Sequence, residues 1–184
     1  MNSDFDDVQV TNATLPLLRA AALNRTRDGR PWLVAAGYRK PHLVWKFPAR
    51  FLNASYAPAS SCASEEECLA SVPLPKHPRF PPSAPLLGFH QPNDDFNLAF
   101  DDVVQCGGAQ MSPFWNFSAT CQRQFRRAYF AAISSMDHEV GRLLAEIQQL
   151  GAADETIVVF FGDHGWQVMF ILPIYARACA LYVT

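Results

Sequence analysis

The sequence predicts an α/β fold with a mostly parallel central sheet flanked by helices, on three observations. The run PWLVAAGY, residues 31–38, is strand-length and apolar at nearly every position, and continuous rather than alternating apolarity marks a strand covered on both faces. Between about Ala119 and Leu150, Phe125, Tyr129, Ile133, Met136, Val140, Leu143, Leu144, Ile147 and Leu150 recur at helical steps, a stripe that buries one side of a long helix. The run TIVVFFGDHGW, residues 156–166, then passes abruptly from β-branched and aromatic residues to an acid, a histidine and a glycine. Strand, long connection, helix and strand together read as a right-handed βαβ unit. Both strands then point their carboxyl ends the same way, to the edge where open α/β sheets carry their chemistry.

Taken in order, the first element is a helix over Thr14–Leu23, with Leu15, Leu18, Ala21 and Ala22 on one face and Pro16 in its first turn. The polar turn NRTRDGR leads into the first strand. Residues 58–113 hold nine of the fourteen prolines, which makes them a long excursion over the surface and not a second domain; such insertions are commonly functional rims. The long helix follows, closed by Gly151 as its C′ residue. A short link, AADE, leads into the second strand. The tail, residues 167–184, is apolar but broken by Pro173 and Arg177; it is too short to span a bilayer and reads as a buried segment. One partial domain over residues 1–184 is expected, with no membrane span.

A formal charge of -2 and a pI near 6.2 provide no basic field for nucleic acid. None of the five cysteines forms a C-x-x-C pair. Cys62 and Cys68 flank the acidic SEEE loop and are placed to close a short disulfide, as are Cys106 and Cys121. Four N-x-S/T sequons, at Asn12, Asn24, Asn53 and Asn116, point toward the secretory route. The opening MNSDFDDVQV has no apolar leader core, so for a secretory protein it is not the expected natural beginning.

Two segments carry a resemblance. RRAYFAAISSMDHEVGRLLAEIQQLGAADETIVVFFGDHGW resembles the helix–strand segment of the sulfatase family, and RPWLVAAGYRKPHLVWKFPARF is similar to the Gly-Tyr-x-Lys-Pro-His segment of its iduronate-2-sulfatase branch. They stand in the family's order and cover most of residues 30–56 and 120–166; residues 58–113 match loosely. The resemblance implies an alkaline-phosphatase-like α/β fold and a sulfuric ester hydrolase. Its cofactors would be a divalent cation, usually Ca2+, and a formylglycine nucleophile. Its substrate would be a sulfated carbohydrate of the glycosaminoglycan type, met in the lysosome or outside the cell.

Residue by residue, Asp163 matches a calcium-binding aspartate, and a strand-end carboxylate suits a hard cation; the plainer reading is a turn aspartate holding backbone N–H groups. His164 belongs beside the metal or facing the sulfate, since calcium prefers oxygen to imidazole. His42 matches a histidine that contacts sulfate and assists proton transfer, a task suited to imidazole at mildly acidic pH. Lys40 would attract the anionic substrate, against the plain alternative of a solvated lysine. Asp137, near Arg142 on the long helix, reads as structural, an acid on a partly buried face. Absent are a Cys/Ser-x-Pro-x-Arg motif from which formylglycine is made, the acidic pair of the family's first strand, and any lysine after His164. The expectation is an interior stretch of a sulfatase with a divergent tail, inactive alone. The alternatives are a non-catalytic fragment or pseudo-enzyme, and a phosphate-ester hydrolase of the same superfamily.

Overall fold

The computed structural model describes residues 6–42, 45–54, 62–74, 118–165, 176–177 and 180–182. Among them are four α-helices, α1 (Asp6–Asp28), α2 (Ala49–Ala54), α3 (Glu65–Ser71) and α4 (Ala119–Gln149), and four short strands, β1 (Val159–Phe161), β2 (His164–Gly165), β3 (Ala176–Arg177) and β4 (Ala180–Tyr182). No helix among the described residues is long and apolar enough to cross a membrane.

Helix α1 reaches well beyond the expected Thr14–Leu23. Asp6 and Asp7 in its first turn complement the positive end of the helix dipole, and Thr11 and Thr14 return their hydroxyls to the carbonyls of Asp7 and Val10. Pro16 therefore lies inside the helix and not in its first turn, where the missing N–H forfeits one intrahelical bond. Leu18 is buried as expected, but the packed face continues through Asp7, Val8, Thr11 and Thr14. Gly29, at φ 69, ends the helix in the left-handed region with its N–H donating to the carbonyl of Arg25, a glycine cap.

Helices α1 and α4 lie side by side. Arg142 Nη2 donates to Asn12 Oδ1 at 2.8 Å, Arg19 pairs with Glu146 at 2.7 Å, and Arg25 pairs with Glu155 at 2.6 Å, just past the end of α4. These partners ascend both sequences together, so the two helices run in the same direction. The Arg19 guanidinium, chiefly through its hydrogen bond, holds the Glu146 carboxyl below its ordinary value, with burial opposing and the Arg19 charge assisting.

The segment 30–39 is extended and runs back along α1 until Tyr38 meets Thr11, but among the described residues it joins no ladder. Its exposure alternates: Trp32, Val34, Ala36 and Tyr38 are half-buried, while Leu33 is 94% exposed. That is the period of a strand with one face resting on the protein. Coverage of both faces, expected from the apolar run, is not found.

Trp45 fixes the next stretch to α4: its ring packs edge-on against Phe125 and Tyr129, both 6.1 Å between centroids, and its Nε1 donates to the carbonyl of Pro41. Phe51 of α2 lies 5.6 Å from His138. Helix α3 starts with reciprocal capping: Ser64 Oγ accepts from the N–H of Glu67, and the Glu67 carboxylate accepts from the N–H of Ala63. It docks on α4 through the Arg127–Glu65 ion pair and through Arg123, which donates to the carbonyl of Val72. Cys62 and Cys68 form the short disulfide, with Cα atoms 5.3 Å apart. Cys121 is also disulfide-bonded, to a partner outside the described residues; the proposed pairing with Cys106 lies there.

The sheet departs furthest from expectation. Val159, Phe160 and Phe161 pair antiparallel with Tyr182, Leu181 and Ala180, and His164 and Gly165 pair antiparallel with Arg177 and Ala176. Both pairings keep one register, so β1–β2 and β3–β4 are two stretches of one antiparallel ribbon, interrupted at Gly162 and Asp163. A mostly parallel central sheet does not form among the described residues, and residues 30–39 do not pair with β1. The physical reason is the tail: residues 176–177 and 180–182 supply a partner close in sequence to β2, a local antiparallel strand that needs no crossover. Among the described residues β1 is open on its sides: Val159 is 56% and Phe161 69% exposed. Residues 176–177 and 180–182 of the tail thus pair as strand; burial of the tail's side chains lies outside what is described.

Candidate functional site

The turn Arg39–His42 is held from below by a residue distant in sequence. Asp7, 4% exposed in the first turn of α1, accepts from the backbone N–H of Arg39 at 2.7 Å and of Lys40 at 3.3 Å. One helical turn further on, Thr11 Oγ1 and the Tyr38 hydroxyl share a hydrogen bond of 3.0 Å. The N–H of His42 closes the turn on the carbonyl of Arg39 at 2.8 Å. A buried carboxylate and a buried threonine thus set the path of the chain into Lys40 and His42.

Lys40 is 8% exposed and not the solvated lysine of the plainer reading. Burial pushes its ammonium below its ordinary value, with the Asp7 charge opposing. His42 is exposed at the end of the turn. Burial also raises the Tyr38 phenol, with the nearby Glu139 and Asp7 charges adding to the rise. Glu139 is a buried acid of α4: its side chain is 3% exposed and accepts from Arg142 at 2.6 Å. This corrects the role given to Asp137, which is exposed; the acid three residues before Arg142 forms the pair, as helical geometry favours.

The downstream pair sits in the ribbon. Asp163 is exposed at its interruption, and His164 belongs to β2, opposite Arg177. The expected loop beyond a strand end is therefore a break within a longer ribbon. Lys40 and His42 share one turn at the Asp7 end of α1, and Asp163 and His164 are adjacent in the ribbon; the Arg25–Glu155 pair ties the other end of α1 to the segment leading into β1.

A match to the family model described as Sulfatase covers residues 4–172. The chain belongs to the sulfatase family. Its relatives include iduronate 2-sulfatase of Homo sapiens, 28% identical over 160 residues, which is 87% of this chain and 26% of that protein. Choline-sulfatase of Rhizobium meliloti is 23% identical over 162 residues, covering 88% of this chain and 27% of the relative. Steryl-sulfatase of Mus musculus is 46% identical over 46 residues, 25% of this chain and 7% of the relative. The chain spans about a quarter of the length of the longer-matching relatives.

Sulfatase membership implies the alkaline-phosphatase-like α/β fold, while the described residues are mostly helical. For calcium the donor set does not suffice: among the described residues no three His, Cys, Asp or Glu side chains gather to hold a metal, and one exposed carboxylate is far from the six to eight oxygens that calcium takes. No chemical step is therefore routed through a metal here, nor through formylglycine, whose motif this sequence lacks. Sequence reasoning missed Asp7, Thr11 and Glu139. The only signal for Asp7 was an acid preceding a helix, which usually means a favourable helix-dipole contact and no more.

The burial of Lys40 has a titration consequence. Its folded pKa lies below the ordinary 10.5, so between the two values the unfolded chain binds more protons and stability rises with pH. Below that window the charged ammonium is the costlier form to bury. Denaturant unfolding at a series of alkaline pH values is expected to show this rise in the native chain and a flatter profile in Lys40→Met. An unchanged profile in Lys40→Met would place the lysine in a water-like environment. Above about pH 10 the Tyr38 phenol, raised in the folded chain, acts in the opposite sense.

Proposed function

We propose that this chain is part of a sulfuric ester hydrolase of the iduronate-2-sulfatase type, acting on sulfated carbohydrate of the glycosaminoglycan class in the secretory pathway, the lysosome or the extracellular space. The observation that carries the reading is the family match over residues 4–172, which includes the Lys40-Pro41-His42 turn clamped by Asp7 and the Asp163-His164 pair. In this reading Lys40 contributes positive charge toward the sulfate oxygens. His42, exposed at the turn, binds the sulfate and moves a proton at the ester oxygen, as an imidazole can. Asp163 and His164 would contribute to the cation site when the remaining ligands are supplied. Ca2+ and formylglycine belong to the family's chemistry: the ion neutralises sulfate charge and the formylglycine supplies the nucleophile.

Equilibrium binding tests the assignment of the turn. A sulfated iduronide is expected to bind the chain in preference to its desulfated counterpart, and His42→Ala to remove the preference. Equal binding of the two sugars by the native chain would overturn it.

A second reading, that the chain by itself is non-catalytic, is favoured by the missing nucleophile motif, because without a nucleophile the covalent step is lost. The purified chain is expected to release no sulfate from an aryl sulfate or a sulfated iduronide above the enzyme-free blank. Hydrolysis that disappears in His42→Ala would refute this and demand a different nucleophile.

A further inference from the structure

We propose that Asn24 carries an N-linked glycan, and that the glycan covers an exposed apolar strip along the outer face of α1. The proposal rests on the secretory reading above. Asn24 opens the sequon Asn24-Arg25-Thr26 in the last turns of α1, is exposed, and has no side-chain hydrogen bond among the described residues. Ala13, Leu17, Ala20 and Asn24 follow one another at steps of four, three and four, and all are exposed. They form one side of the helix, away from the packed face of Asp7, Thr11, Thr14 and Leu18. Leu17 is 60% exposed and Leu23, beside the sequon, 68%. Single exposed leucines are ordinary; here Ala13, Leu17 and Ala20 lead along one helix face to an acceptor asparagine, with Leu23 exposed on the adjoining side. A glycan is bulky and solubilising, and the C–H faces of its sugars suit such a strip.

The other described sequon on α1 is also exposed at its asparagine, but that side chain is engaged. Asn12 Oδ1 accepts from Arg142 at 2.8 Å across the α1–α4 seam. Its flanking Thr11 and Thr14 are 0% and 5% exposed. A glycan there would crowd the Arg142–Glu139 pair, whereas at Asn24, among the described residues, it would meet solvent and the apolar strip. The covalent step is ordinary glycosyl transfer. The Asn24 Nδ2 attacks the anomeric carbon of a lipid-linked oligosaccharide pyrophosphate and a C–N bond forms. The bond from that carbon to the pyrophosphate oxygen breaks, the lipid pyrophosphate leaves, and the amide proton passes to base.

The test is secretion of the full 184-residue chain from eukaryotic cells behind a cleavable leader, with sites mapped by mass spectrometry after enzymatic glycan release in heavy-oxygen water. Asn24 is expected to be occupied and Asn12 largely bare. Asn24→Gln and Thr26→Ala should each remove one glycan and raise the binding of an apolar fluorescent dye. Thr26→Ala is the check on folding, because the Thr26 hydroxyl bonds only to Ala22 of its own helix. Glycan on Asn53 or Asn116 with Asn24 bare would overturn the proposal and leave the secretory reading intact. No glycan on any of the four sequons would defeat the secretory reading and the proposal with it. Equal occupancy of Asn12 would overturn the argument from the seam, and unchanged dye binding would overturn the covering role.

Discussion

Replacing Glu139 by alanine is expected to lower the unfolding free energy of the chain by about 3 kcal/mol, the lower end of the range for removing one partner of a buried ion pair. The Glu139 side chain is 3% exposed and that of Arg142 20%. Alanine would leave the guanidinium with Asn12 as its remaining partner among the described residues, in a place where water reaches it poorly. The lower end is chosen because Arg142 retains some access to solvent. Glu139→Gln, which keeps an acceptor and loses the charge, should cost less. A further readout is local: Glu139 helps to raise the Tyr38 phenol, so that phenol should titrate lower in the alanine variant. Urea unfolding combined with absorbance titration measures both. A loss under about 1 kcal/mol would put the pair among surface salt bridges.

Asp7→Ala is expected to cost about 2–4 kcal/mol, because hydrogen bonds to a charged acceptor contribute roughly 1.5–3 kcal/mol each and their loss leaves the donors unmatched. Two backbone donors are involved, Arg39 at 2.7 Å and Lys40 at 3.3 Å, and the longer one contributes less. Asp7→Asn should recover part of the loss, since one amide oxygen still accepts. The change should also depress the Lys40 ammonium further, because Asp7 is the charge that most opposes the effect of its burial. If Asp7→Ala unfolds at the same urea concentration as the native chain, the carboxylate does not clamp the turn, and the path of residues 38–42 must be set elsewhere.

Much of the helical framework was legible. The stripe from Phe125 to Leu150 marked α4, and Gly151, at φ 66, terminates it as expected. The spacing of Cys62 and Cys68 announced their disulfide. What the stripe did not reveal is which residues of α4 are most deeply placed. Arg127, Ser135, Glu139 and Glu146 are buried alongside Ala131 and Ala132, while Leu144 is 44% exposed. Periodicity sorts residues by polarity. A polar side chain is buried when a partner meets it, and here the partners of Glu146 and Arg127 lie 127 and 62 residues away.

By itself the sequence determined the position of α4, the presence but not the bounds of α1, the glycine stop at Gly151, and the two segments that identify a sulfatase, because helix periodicity, left-handed glycines and short motifs are local properties. Only the tertiary structure decided that Asp7 and Thr11 hold the chain entering His42, that Glu139 and not Asp137 pairs with Arg142, and that residues 159–165 meet the tail in an antiparallel ribbon. The reason is common to all three. A hydrogen bond, an ion pair and a ladder each need a second group, and chain folding chooses that group from residues whose distance along the sequence leaves no periodic trace.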